Sequence, residues 1–209
     1  MEIKKDYIKN IENAERRFVV SELESKHEVR SIDNEEEDEY IITGYAAKYN
    51  SETDLGYIRE VIMPNAFDEV LQDDVRALLN HDESSILGRT KSGTLRIWAD
   101  GIGLGYEVKL DKRNTDHMNT YYSIQRGDIS QSSFAFIVKE QSWEKGEQTN
   151  LRKIMKVERL FDVSPVTYPA YNDTSVASRS MAESIKDEMP QEDWEFESRK
   201  MKLQILKIK

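Results

Sequence analysis

The sequence predicts a mainly β domain with flanking helices (α+β), its strands curled into a closed or nearly closed barrel. Three observations carry that expectation. The apolar runs between residues 40 and 173 are short and rich in β-branched and aromatic residues. All nine glycines and three of the four prolines fall in the same stretch, where they punctuate those runs. Only two segments there carry helical spacing, so many short strands with few helices favour a barrel with the helices outside it.

The N-terminal 39 residues read as a charged extension. They contain neither Gly nor Pro and end in Asp33-Asn34-Glu35-Glu36-Glu37-Asp38-Glu39, six acids in seven residues. Like charges so dense repel one another, so the run is expected to be a solvated connector. Upstream, Tyr7, Ile8, Ile11 and Ala14 recur at helical spacing. Glu28–Ile32 alternates weakly and is a candidate first strand.

Residues 40–173 form the expected domain. Its strand candidates are 40–46, 94–98, 105–110, 133–138 and 160–166, separated by glycine-bearing turns at Gly56, Gly93, Gly101 and Gly146. One helix is expected over Pro64–Leu71, where Pro at the first turn loses no hydrogen bond. A second is expected over Asp116–Arg126 and is closed by Gly127. Beyond, residues 174–209 lose glycine and β-pattern, forming a polar tail that ends in a basic stretch. Arg199, Lys200, Lys202, Lys207 and Lys209 stand there without an acid.

Composition narrows the chemistry. The chain has 209 residues and no cysteine, which removes disulfides, thiolate nucleophiles and Cys-bearing metal sites. Three histidines, His27, His81 and His117, are too few for a multi-histidine metal centre, and no cofactor is expected. A net charge of −10 and a pI near 5.0 argue against nucleic acid as a partner. No apolar run reaches the roughly 18 residues of a membrane span, and the N-terminus lacks an apolar signal core. A cytoplasmic protein without a membrane partner is expected.

Three signals could carry catalysis. His81 follows the apolar run Ala77-Leu78-Leu79 and sits between Asn80 and Asp82. A lone histidine is commonly structural, but at a strand end it suits a general base. Ser133 lies in Ser132-Ser133-Phe134-Ala135-Phe136, where alternation puts Ser133 and Ala135 on one face and both Phe rings on the other. Ser132 then faces away from Ser133. A serine hydroxyl needs a neighbouring base to act as a nucleophile. Asp162 and Glu158 flank the last strong strand. Either is by default a solvated or ion-paired acid, and either can orient an imidazole; Asp162 lies in the more apolar run.

Taken in order, the motifs resemble a known family. They are Gly44-Tyr45-Ala46, Glu60-Val61-Ile62-Met63-Pro64-Asn65-Ala66-Phe67, Leu79-Asn80-His81-Asp82, Leu87-Gly88-Arg89-Thr90, Gly93-Thr94-Leu95, Gly127-Asp128-Ile129 with Ser133-Phe134-Ala135-Phe136, and Asp162-Val163-Ser164 with Tyr168-Pro169-Ala170-Tyr171. The set is similar to that of the prohead (procapsid maturation) serine proteases of tailed bacteriophages. The resemblance implies a herpesvirus-assemblin-like β-barrel and an endopeptidase inside the immature capsid, in the host cytoplasm. Its implied substrates are the major capsid protein or its scaffolding segment. Self-cleavage is a further implication, with residues 175–190 as the accessible stretch, and a homodimer is left open. Carried over, His81 matches the family's histidine and Ser133 its nucleophile. The acid is assigned to Asp162, with Glu158 in reserve, and His117 would imitate the two-histidine herpesvirus arrangement. Asn65 and Ala135 stand where the family commonly has Gly. The turn Ile86–Thr90 is the candidate oxyanion loop. A non-catalytic capsid-assembly module with the same barrel is the rival expectation. A small-ester hydrolase is disfavoured because no Gly-x-Ser-x-Gly elbow is present.

Overall fold

The computed structural model describes residues 14–19, 23–32, 35–55, 58–146 and 149–168. Among these the chain is mainly β, with eleven strands and one α-helix. The strands are β1 (Glu15–Val19), β2 (Glu24–Ile32), β3 (Glu35–Lys48), β4 (Thr53–Asp54), β5 (Arg59–Ile62) and β6 (Arg76–Leu78), continuing with β7 (Ile86–Arg89), β8 (Leu95–Ala99), β9 (Gly103–Leu110), β10 (Gln131–Glu144) and β11 (Leu151–Val166). The first sheet runs β1-β10-β11-β5-β4, with β6 pairing β11 and β7 pairing β6. The second runs β2-β3-β9-β8. Among the described residues no ladder joins the two sheets into a closed barrel.

Strand alternation builds the core between the sheets. Leu104, Tyr106 and Val108 of β9 point inward at every second position and meet Phe134 and Phe136 of β10, whose rings stack. Phe67 packs edge-on against Phe134. Gly103 is required where β3 bulges past β9: a Cβ there would lie 1.9 Å from the Ala47 carbonyl oxygen.

The helix expected over 116–126 is α1 (Thr115–Gln125). Asn114 caps it by accepting from the N–H groups of Asp116 and His117, and Gly127 ends it at φ 83°. The helix expected over 64–71 does not form. Asn65 takes φ 66°, and the segment closes as successive i→i+3 turns ending in a three-residue 3₁₀ turn, Asp68–Val70. A left-handed residue at the second position stops an α-helix from nucleating there.

The stretch read as an extension contributes strands. β2 pairs with β3 in a register that sets Arg30 opposite Glu37, so residues 35–39 lie in a ladder rather than in a solvated connector. The expected helix upstream of Ala14 and the tail from 174 onward lie outside the described residues, as does the end of the domain beyond 168.

β1 adds to the free side of β10 and is fixed by buried charge. The Arg17 guanidinium forks onto Glu60 of β5, with Nη2 2.9 Å from Oε2. Glu15 accepts from both terminal nitrogens of Arg152 on β11, at 2.6 and 2.9 Å. Arg152 also reaches Glu60 at 3.1 Å and Gln141 at 2.5 Å. Two acids and two arginines thus neutralise one another, which buried charges require.

Burial by itself would raise the Glu15 carboxyl; the Arg17 and Arg152 guanidiniums outweigh it and hold the pKa at about 2 instead of 4.5. A depressed acid contributes stability above its unfolded pKa and loses it as pH falls through the folded one. The contribution, on the order of 3 kcal/mol, is therefore present above pH 4.5 and withdrawn as the pH approaches 2. Glu15→Gln is expected to lower the melting temperature at neutral pH. Between these pH values its acid dependence should be flatter than that of the wild type, as read by thermal melts along a pH series.

Candidate active site

The β10–β11 ladder brings two of the expected site residues side by side. Its register sets Ser133 opposite Ser164 and Ala135 opposite Asp162. Directly opposed residues share a face, so Ser133 and Asp162 emerge together on the side away from the Phe134–Phe136 core. The ladder skips Phe161 and Glu158, two bulge positions that break simple alternation along β11. Glu158 is exposed, and the acid that meets the histidine is Asp162.

His81 arrives on a tight turn. Leu79 O accepts from Asp82 N at 3.0 Å, and both central residues have positive φ, 56° at Asn80 and 58° at His81. Such mirror-image turns favour Asn and Gly, and a histidine in the second place is strained. Asn80 holds the turn against the end of β11. Its N–H donates to Pro165 O at 3.0 Å, its side-chain oxygen accepts from Thr167 N at 2.8 Å, and its amide nitrogen donates to Thr167 Oγ1 at 3.2 Å.

The ring completes a hydrogen-bonded line. His81 Nδ1 lies 2.6 Å from Asp162 Oδ1, and His81 Nε2 lies 2.5 Å from Ser133 Oγ. The side chains of His81 and Asp162 are only 8% and 9% exposed. With Nδ1–H donating to the carboxylate, Nε2 is the nitrogen left to accept the serine proton. Ser164 O–H donates to the same Asp162 oxygen at 2.7 Å and lies 3.4 Å from Nδ1. Ser133 Oγ has one more partner, the Arg17 carbonyl of β1, at 2.8 Å.

The remaining candidates go elsewhere. Ser132 faces the core, as alternation requires, and bonds to the buried Tyr106 hydroxyl at 2.9 Å. Burial pushes that phenol well above its usual range, so it stays protonated. His117 ties α1 to β7: Nδ1 accepts from Asp111 N at 3.0 Å and Nε2 donates to Ile86 O at 2.8 Å. In the turn read as an oxyanion loop, Arg89 N already donates to Thr94 Oγ1 and Thr90 N to Val75 O. The Arg89 guanidinium is paired with Asp74. Among the described residues no cluster of three or more His, Asp or Glu could hold a metal ion, and no helix is long and apolar enough to cross a membrane.

The family model for the caudovirus prohead serine protease matches residues 25–188, most of the chain. The chain belongs to that family. No curated protein matches it. Among solved structures, the bacteriophage T4 capsid assembly protease, gp21, is similar at 12% identity and a TM-score of 0.40, covering 73% of this chain and 98% of that one. In this member of the family His81, Ser133 and Asp162 stand in one hydrogen-bonded line. Two residues of that line's surroundings were missed by the sequence reading. Ser164 was signalled by its i+2 spacing from Asp162 in a strand, and Asn80 by its tolerance of positive φ ahead of His81.

Two substitutions separate the adjacent serines. Ser132→Ala strips a buried partner from Tyr106 and should cost about 1–3 kcal/mol in denaturant melts, with proteolysis nearly unchanged. Ser133→Ala also removes a buried hydroxyl, one bonded to Arg17 O and His81, and should cost a similar amount while abolishing proteolysis. Asn80→Ala puts a residue that tolerates positive φ less well into the turn and cuts both side-chain stitches to Thr167; a loss of about 1–3 kcal/mol and a fall in kcat larger than the change in KM are expected.

Proposed function

We propose that this chain is a serine endopeptidase that processes capsid or scaffold proteins during phage head maturation. The observation that carries the reading is the line Ser133–His81–Asp162, with links of 2.5 and 2.6 Å, in a chain of the prohead protease family. His81 Nε2 takes the proton of Ser133 as Oγ bonds to the scissile carbonyl carbon. The C–N bond then breaks, and the proton passes from His81 to the leaving amine. Water, deprotonated by His81, hydrolyses the acyl ester and restores Ser133. Asp162 accepts from Nδ1–H throughout and stabilises the imidazolium, while Ser164 and Asn80 hold the acid and the ring in place.

The two sheets are read as a nearly closed barrel of the herpesvirus-protease type, since β1 and β10 of the first sheet pack against β3 of the second. Residues 40–173 would then carry most of the enzyme, with β1, β2 and the start of β3 completing its sheets. The substrate would be the major capsid protein or its scaffolding segment, met inside the procapsid in the host cytoplasm, with self-cleavage as a second outlet. The rival, a non-catalytic assembly module, offers no reason for three side chains from separate elements to line up at hydrogen-bond distance.

Co-expression with the phage's major capsid protein, followed by intact-mass spectrometry, tests the reading. Truncation of the capsid protein is expected with the wild type and not with Ser133→Ala. His81→Ala should lose roughly 10³-fold or more in rate, and Asp162→Asn on the order of 10²–10⁴-fold. Equal cleavage by Ser133→Ala and the wild type would sink the assignment.

A further inference from the structure

The hairpin that carries His81 rests on short ladders. β6 is three residues long and pairs with β11 at two positions, Arg76 opposite Asp162 and Ala77 opposite Val163. β7 follows β6 at three positions, and the register slips so that Leu87 is skipped and Leu78 lies opposite Ile86. The loop between them, residues 79–85, is closed by its own bonds. Leu79 N donates to Ser85 O at 3.0 Å and Ser85 N to Asp82 O at 2.9 Å. The Asp82 carboxylate accepts from Ser84 N and Ser84 Oγ at 2.9 and 2.6 Å. A loop closed in this way moves as one piece, and His81 moves with it. On its entering side Asn80 stitches it to the end of β11.

On its leaving side the tie is His117. The ring spans from Asp111 N, which donates to Nδ1 at 3.0 Å, to Ile86 O, which accepts from Nε2 at 2.8 Å. Ile86 opens β7 and follows Ser85, whose carbonyl closes the loop. The ring stands in the first turn of α1, which is fixed independently: Tyr121 and Ile124 are buried in the core, and Asn114 caps the helix. Because an N–H donates to Nδ1, that nitrogen holds no proton, and Nε2 holds the one the ring has. His81 requires the opposite arrangement, Nδ1–H toward Asp162 and a bare Nε2 toward Ser133. Two neutral imidazoles of opposite tautomer therefore bear on one hairpin.

We propose that His117 is a positioning residue for the catalytic histidine: through Ile86 O it anchors the His81 hairpin to α1 and so fixes the reach of the His81 ring to Ser133. The inference rests on the protease reading above, and it gives His117 a place outside the triad itself. Its two bonds can be separated. An asparagine amide presents its oxygen near the place of Nδ1 and has nothing that reaches Ile86 O. A glutamine amide presents an N–H near the place of Nε2 and leaves Asp111 N without its acceptor. The bond to Ile86 O is the one that carries the position of His81.

The test uses the full-length chain, with casein as a general substrate and nitrogen–proton magnetic resonance spectra of its three histidine rings. The wild type should show Nε2–H at His117 and Nδ1–H at His81. His117→Asn should lower kcat about ten- to a hundredfold with little change in KM, and its His81 signal should move from one tautomer toward an average of both. His117→Gln should keep most of the wild-type kcat although it melts at a lower temperature, since it lacks the bond from Asp111. A role confined to stability predicts kcat that follows the melting temperature in both variants, with asparagine the better replacement. That outcome overturns the proposal, and so does a His117 ring protonated at Nδ1 in the wild type. If His117→Asn does not fold, His117→Gln decides: a fall in its kcat as steep as that expected for asparagine overturns the proposal equally. Casein cleavage that persists in Ser133→Ala would instead strike the protease reading beneath it, and the ring spectra would still show whether His117 sets the His81 tautomer.

Discussion

The antiparallel register of β10 against β11 is the constraint on which the site depends. Ala135 opposite Asp162, and Ser133 opposite Ser164, put a hydroxyl and a carboxylate on one face. A slip of one residue would send Ser133 into the core and Phe134 out to the site. The register is held by what lies on the other face, where Phe134 and Phe136 stack in a fully buried core and Ser132 bonds to Tyr106. Packing on one side of the sheet thereby fixes the chemistry of the other.

The histidine is placed by a different means. Two consecutive residues with positive φ are costly, on the order of 1–2 kcal/mol each for non-glycine residues. The turn at Asn80–His81 persists because Asn80 makes three hydrogen bonds to the segment after Asp162. Acid and base are thus referenced to the same strand, and the ring spans from that strand to Ser133. Ser164 adds a donor to the shared Asp162 oxygen and so helps to hold the carboxylate against the ring.

The buried quartet of Glu15, Arg17, Glu60 and Arg152 is expensive in desolvation and returns it through paired geometry. A hydrophobic substitute of similar volume could close the same space more cheaply. What charge adds is direction: the pairs fix which residues of β1 lie beside β10, and so set that strand's position relative to Ser133. The same contacts that stabilise the fold place a peptide carbonyl on the candidate nucleophile.

Much of this was legible in one dimension. The strand runs around Tyr106, Phe134 and Val163, the helix closed by Gly127, and the face shared by Ser133 and Ala135 follow from periodicity and punctuation, which are local properties. The assignment of His81, Ser133 and Asp162 came from ordered motifs. The failures have local causes too. Pro64 promised a helix that the left-handed Asn65 cancelled, and the acidic run 35–39 looked solvated because its pairing strand lies earlier in the chain. Nothing in the sequence showed that Glu15 and Arg17 would meet Arg152 and Glu60, or that the Arg17 carbonyl would lie on Ser133. Those contacts join residues 43 to 137 positions apart. The sequence by itself determined which side chains could do chemistry and which face of a strand each would take. Only tertiary structure decided which of them meet, because hydrogen-bond geometry across a sheet is set by register, bulges and turn closure, and these depend on the whole packed chain.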